Sequence, residues 1–173
     1  VSAGFASASF TSAGVEGASG TVNLTASAPG FLDGVASRTI AAPAVRVNTT
    51  LAATGTAGVT ADDPFTLTVG LPNGTLTDLL TSQAVRAGGS LTVSLASSDS
   101  TVGTLVSGEP AVAAGTATVT IDAGQSSSPT TVATGGVAFR FLAPGTTSVI
   151  ATPIGQGFLT LANSQRTVTV SSP

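Results

Sequence analysis

The 173-residue chain contains no Cys, His, Lys, Trp, Tyr or Met. Each absence removes a class of chemistry. Without Cys there is no disulfide, no thiolate nucleophile and no zinc site of the usual kind. Without His, the commonest general base and metal ligand is missing. Without Lys there is no Schiff-base nucleophile, and no Lys–Asn cross-link of the sort some surface-fibre domains use. The seven aromatic residues are all Phe, which leaves little for stacking sugars or bases.

Charge is almost as scarce. Only 8% of residues are charged and the net charge is −3. The five basic residues are all Arg, scattered from Arg38 to Arg166. A nucleic-acid partner needs a clustered basic stripe to displace counterions, so none is expected. No long apolar run is present, so no membrane insertion is expected. Neither a signal-peptide pattern nor a twin-Arg motif appears; a secreted protein would have its export signal removed or outside these residues. A hydrophobic fraction of 42% still supplies a core, and few charges do not make a disordered acidic chain. A Ser/Thr/Gly-rich chain without oxidisable side chains suits an extracellular or cell-surface bacterial protein.

What the chain does have is alternation. Thr21–Ser27, Pro64–Gly70, Ser90–Ser97 and Thr116–Ile121 place Val, Leu, Ile, Ala or Phe at every second position against Thr and Ser. That is the period of a strand with one buried and one wet face. Further strands are expected at Phe5–Thr11, Ser37–Val47 (interrupted by Pro43), Val102–Ser107, Val137–Leu142, Thr146–Thr152 and Arg166–Ser171. Turn signals come about every ten residues, Asn73-Gly74 among them. Leu76–Val85 has no clean period and reads as a loop or a helical turn. Short strands at this spacing predict an all-β sandwich or barrel.

One stretch occurs twice. Ala8–Ile40 and Val137–Val170 each carry a strand with a Phe (Phe10, Phe141) and then Gly-Thr opening a second strand (Gly20, Gly145). Each continues with Gly-Phe-Leu (Phe31, Phe158) and an Arg-Thr start to the last strand (Arg38, Arg166). The offset is 127 residues between Phe31 and Phe158 and 128 between Arg38 and Arg166. A near-constant period is the mark of a tandem array.

The stretches Val22–Phe31 (VNLTASAPGF), Leu91–Asp99 (LTVSLASSD) and Thr116–Ser127 (TATVTIDAGQSS) resemble bacterial immunoglobulin-like (Big-type) tandem repeats of large surface or secreted proteins. The resemblance covers most of the chain and is weakest over Leu76–Ala87. It implies an immunoglobulin-like Greek-key β-sandwich, without catalysis, serving in stalks, adhesin shafts or fibres. Two departures stand out. Phe31 and Phe158 occupy the corner where the family often has Tyr, and the second corner is one residue longer. The expected domains are a partial one over residues 1–48, holding only the C-terminal strands, and a complete sandwich over 49–173. Arg46–Thr50 is the expected junction.

Candidate sites are few. Asp62, Asp63 and Asp78 are calcium candidates, since hard cations take oxygen ligands; the alternative is solvated turns, and no Asp-x-Asp-x-Asp spacing is present. No other cofactor is expected. Asp99 and Glu109 form a carboxylate pair, but they sit in turns without an aromatic subsite, which favours plain surface charge over glycosidic chemistry. Serines abound without a His or Lys to activate them. Asn23, Asn48 and Asn73 head glycosylation triplets, which chance explains in a Thr-rich chain. Arg38 and Arg166, at matched positions, read as structural caps for a carboxylate or a carbonyl.

The functional expectation follows from incompleteness. Three strands cannot bury one apolar face alone. Either the chain is part of a longer array, or a neighbouring copy completes the half-domain by strand addition and builds a head-to-tail filament. The expected role is a non-enzymatic structural repeat of an extracellular fibre or stalk, with copies of itself as partners. The alternative is an adhesin or carbohydrate-binding module of a secreted protein.

Overall fold

The computed structural model describes residues 7, 9, 18–155 and 157–173. The expected strand over Phe5–Thr11 therefore lies outside the described residues except at 7 and 9, and Phe10 lies outside them. Among the described residues the protein is all-β: fourteen strands, two single 3-10 turns and no α-helix. The chain divides into two compact units, Val1–Ala41 and Ala42–Pro173.

In the first unit, β1 (Gly20–Ala26) and β2 (Gly34–Ile40) form an antiparallel hairpin with seven unbroken pairs, from Gly20↔Ile40 to Ala26↔Gly34. One face carries Val22, Leu24, Ala26, Ala36 and Ile40 with Arg38. The other carries Thr21, Asn23, Thr25, Ser37 and Thr39 with Val35, and the Ser37 hydroxyl donates to Asn23 Oδ1 at 2.8 Å. Leu24 and Ile40 are half-buried and the rest of the hairpin is exposed.

The second unit is a sandwich. One layer has the order β11 (Thr116–Asp122), β8 (Ser90–Ser97), β13 (Gly145–Pro153), β14 (Gln165–Ser171), β4 (Thr54–Thr56). The pairs are antiparallel except β14–β4, which is parallel. The other layer runs β10 (Val112–Ala114), β9 (Gly103–Ser107), β12 (Val137–Phe141), β5 (Asp63–Phe65). After Thr66 the chain continues as β6 (Leu67–Pro72), which pairs with β3 (Ala44–Val47) and β7 (Leu79–Ser82). A single stretch, Asp63–Pro72, thus changes partner from β12 to β3.

The alternation read in the sequence fills the space between the layers. Leu91, Val93 and Leu95 share one core with Ala117, Val119, Ile121 and Val149 from the same sheet, with Phe65, Leu105, Val137, Phe139 and Phe141 from the other layer, and with Leu67 of β6. Phe139 and Phe141 pack edge to face with ring centroids 5.1 Å apart. Two glycines make room for these rings. A Cβ on Gly103 would overlap the Phe139 ring, and one on Gly55 the Phe141 ring.

Three expectations differ from the structure. Ser37–Val47 is not one strand: Ala41–Pro43 separates β2 from β3, which belong to different units. Proline lacks the N–H and fixes φ, so the ladder stops there. The division at Ala41/Ala42 lies seven residues before the expected boundary at 48/49, and Arg46–Thr50 is part of the sandwich rather than a junction. The physical reason is burial: Val45, Val47 and Leu51 sit in the core, and Asn48 N–H donates to the Thr66 carbonyl at 3.0 Å. Leu76–Val85, expected as loop or helical turn, contains β7. Its pairing shifts register at Leu71/Pro72, and three of its four residues are exposed, which erases the period of two.

Candidate functional site

The calcium candidates are each engaged within the protein. Asp62 receives a two-pronged contact from Arg140, Nε to Oδ1 at 2.8 Å and a terminal nitrogen to Oδ2 at 2.6 Å. That hydrogen bonding holds the Asp62 carboxyl below the usual carboxylate range, against partial desolvation. Asp63 Oδ2 accepts the Ala52 N–H at 2.6 Å, which pins the start of β5 to the segment after β3. Asp78 accepts from the Asn163 side chain, from Arg46 at 2.9 Å and from Leu79 N–H at 2.6 Å, and its pKa is lowered by these contacts, Asn163 first. The structure does not bring Asp62, Asp63 and Asp78 together. Among the described residues no group of three or more His, Cys, Asp or Glu is placed to hold a metal ion.

Asp99 closes its own turn. Its Oδ1 accepts from Thr101 N–H at 3.0 Å and Thr101 Oγ1 at 2.6 Å, and these bonds lower its pKa. Glu109 is exposed in the turn after β9. The side chain of Asn73 also caps a turn, accepting Thr77 N–H at 3.0 Å. Asn48 is half-buried, and its Nδ2 donates to Thr66 Oγ1 and Thr68 Oγ1 at 2.8 and 2.9 Å. With Arg46 Nε on its Oδ1, Asn48 centres a polar network on the outer side of β3 and β6 that runs through Arg46 to Asp78. Sequence reasoning did not find this network, because its members are separated by up to 32 residues and show no local pattern.

A shallow cleft of about 230 Å³ lies beside β13, lined by Ile150, Pro153, Leu159, Leu161 and Gln165 among others. No titratable group lines it.

The matched residues give the most informative comparison. β13 and β14 pair antiparallel from Gly145↔Val170, as β1 and β2 do from Gly20↔Ile40. Gly20 and Gly145, which open the two first strands, both have positive φ, 135° and 154°. Gly30 and Gly157, which precede Phe31 and Phe158, are both left-handed at 83° and 80°. The wet faces match too: Asn23–Ser37 in one hairpin corresponds to Ser148–Thr167 in the other, hydroxyls 3.2 Å apart.

Register differs by two. Arg38 lies opposite Val22, whereas Arg166 lies opposite Val149, the counterpart of Leu24. A shift of two keeps every side chain on its own face.

Burial is where the hairpins part. Thr147, Val149, Ala151, Val168 and Val170 are each at most 4% exposed. Their counterpart Val22 is 42% exposed, and Phe31 is 80% exposed while Phe158 packs against the core. Arg166 Nε donates to the Leu51 carbonyl at 2.5 Å, a carbonyl cap, whereas Arg38 is exposed at mid-strand. No protein-family model matches the chain, and a search of curated proteins finds no match.

Proposed function

We propose that the chain is a non-enzymatic structural repeat of an extracellular bacterial fibre or surface stalk. Its plan is that of a Big-type immunoglobulin-like Greek-key sandwich followed, in a filament, by further copies. The apolar face that β1–β2 exposes is covered by a neighbouring copy, so that subunits join head to tail. The observation that carries this reading is the burial mismatch between two antiparallel hairpins that share the same short motifs. The face that is core in β13–β14 is exposed in β1–β2, or half-buried at Leu24 and Ile40. A two-stranded hairpin is marginal in water, so covering its apolar face is favourable. In the sandwich, β8 lies on the outer edge of β13 and a second sheet covers its face. A neighbour that supplies an equivalent strand and cover removes the same apolar surface from water and closes an exposed ladder edge. Because donor and acceptor surfaces differ, the contact is heterologous, and repeated without closing a ring it yields a filament. The low charge lets such subunits approach with little repulsion.

Negative-stain imaging and sedimentation of the full chain test this. Uniform filaments are expected, and Val22→Asp with Leu24→Asp should abolish them while the second unit keeps its melting temperature. Monodisperse particles at high concentration, or filaments indifferent to both substitutions, would overturn the proposal.

A further inference from the structure

Every sheet has edges, and exposed edges recruit other strands unless something blunts them. In the second unit nearly all are blunted. β4 and β10 are three residues long, and β5 is three residues with Pro64 at its centre. β7 has four residues and an irregular register. β3 is covered on its outer side, where Leu159 N–H donates to the Pro43 carbonyl at 2.8 Å and the Ser164 hydroxyl to the Val45 carbonyl at 2.7 Å.

β11 is different. It is seven residues long, paired with β8 at every position from Thr116↔Ala96 to Asp122↔Ser90, and it ends the sheet. It contains no Pro, Gly, Lys or bulge, and its one charge, Asp122, is at the end. Thr116, Thr118 and Thr120 face solvent while Ala117, Val119 and Ile121 are buried.

We propose that the free edge of β11 pairs with β11 of a second copy, antiparallel, across a two-fold axis at Val119. An antiparallel partner must put core-facing residues opposite core-facing residues, and only that centre uses all seven positions. It sets Thr118 against the second copy's Thr120, Ala117 against Ile121 and Thr116 against Asp122. Hydroxyl therefore meets hydroxyl on the wet side, the two cores stay on the same side of the joined sheet, and no like charges meet. Threonine pairs directly opposite one another are among the favourable cross-strand pairs. The chemistry of this edge thus fits its own copy: backbone donors and acceptors in register, with no charge for a charged partner to read. The contact is isologous and closes as a pair. It is separate from head-to-tail joining through β1–β2.

Sedimentation of the full chain across a concentration series should give a monomer–dimer equilibrium in the Val22→Asp, Leu24→Asp background, which cannot form filaments by the first route. Thr118→Lys with Thr120→Lys places two like-charge contacts across the axis and should weaken self-association by about tenfold or more. Thr118→Glu with Thr120→Glu should do the same, and mixing the Lys and Glu forms should restore pairing. The chain has no native Cys, so a mixture of Thr118→Cys and Thr120→Cys forms should cross-link on mild oxidation faster than either alone. A monomer at every concentration, a dimer untouched by the Lys pair, or cross-linking no faster in the mixture would each overturn the proposal. If filaments form in the wild-type chain while the β11 substitutions change nothing, head-to-tail joining stands and edge pairing falls.

Discussion

Val149 and Leu24 occupy equivalent positions in the two hairpins, and shortening each to Ala separates burial from sequence pattern. Val149 is fully buried in the sandwich core, among side chains of both sheets. Val→Ala removes two methyl groups and leaves the backbone hydrogen bonds to β14 and β8 in place. At about 0.8 kcal/mol per buried carbon, the lost transfer term is about 1.6 kcal/mol. A residual cavity between two rigid sheets raises the cost to about 2–3 kcal/mol. For a unit the size of Ala42–Pro173, each kcal/mol moves the melting temperature by about 3–4 °C, so Val149→Ala should melt about 9 °C lower. Leu24→Ala removes more carbon, but from a half-exposed position on a two-stranded hairpin. In the dilute monomer it should change stability by no more than about 0.5 kcal/mol. The assay is thermal and urea denaturation followed by far-UV circular dichroism at a concentration where the chain is monomeric. Equal losses for the two substitutions in the monomer would refute the reasoning, because Leu24 would then already be covered. In assembled filaments, by contrast, Leu24→Ala should approach the cost of Val149→Ala.

Three further outcomes are expected. Arg166→Met removes the donor to the Leu51 carbonyl and should cost about 1–2 kcal/mol in thermal unfolding, whereas Arg38→Met, at the matched but exposed position, should be neutral. Gly103→Ala should destabilise by about 1–3 kcal/mol, because its Cβ would drive into the buried Phe139 ring; a melting temperature unchanged from wild type would show that the ring has room to move. Asp62, whose folded pKa lies below its unfolded value of about 3.9, stabilises the fold above that pH. The contribution disappears as pH falls through the folded pKa. Asp62→Asn should therefore flatten the acid limb of the stability curve without changing its slope near neutrality, and the effect should shrink in high salt because both side chains are partly exposed.

The sandwich was legible where alternation is strict. Ser90–Ser97 is a strand at both predicted ends, and Leu91, Val93 and Leu95 point inward as read. Thr116–Ile121 gained only Asp122. Phe65, Leu67 and Val69 are buried across the break between β5 and β6, because the side-chain period continues although the backbone changes partner. Strands without a period were missed. Thr54–Thr56 and Val112–Ala114 have three residues each, too few to alternate visibly. The calcium reading rested on carboxylates close in sequence; the fold gave those carboxylates to Arg140, Ala52 and Arg46 instead. Arg140 and Arg46 come from other strands and Ala52 from the loop between β3 and β4, so none of them can be read locally.

The sequence by itself determined the class of fold and the chemistry withheld from it. A period of two is a local property, legible wherever one face of a strand is buried, and a missing side chain is missing in any conformation. It also shows the same short motifs, Gly-Thr, Gly-Phe-Leu and Arg-Thr, in each of two segments. Only the tertiary structure decided which copy is covered. Val149 and Leu24 stand at the same distance after a Gly-Thr start, but burial comes from a second sheet packed across the core, supplied by residues far away in sequence. The same distinction sets Arg166 on a carbonyl and leaves Arg38 in solvent, and it leaves β11 as the long, regular edge with no strand on its outer side among the described residues. Backbone pairing and face-to-face packing are made between segments and not within them, so no single stretch of sequence records its partner.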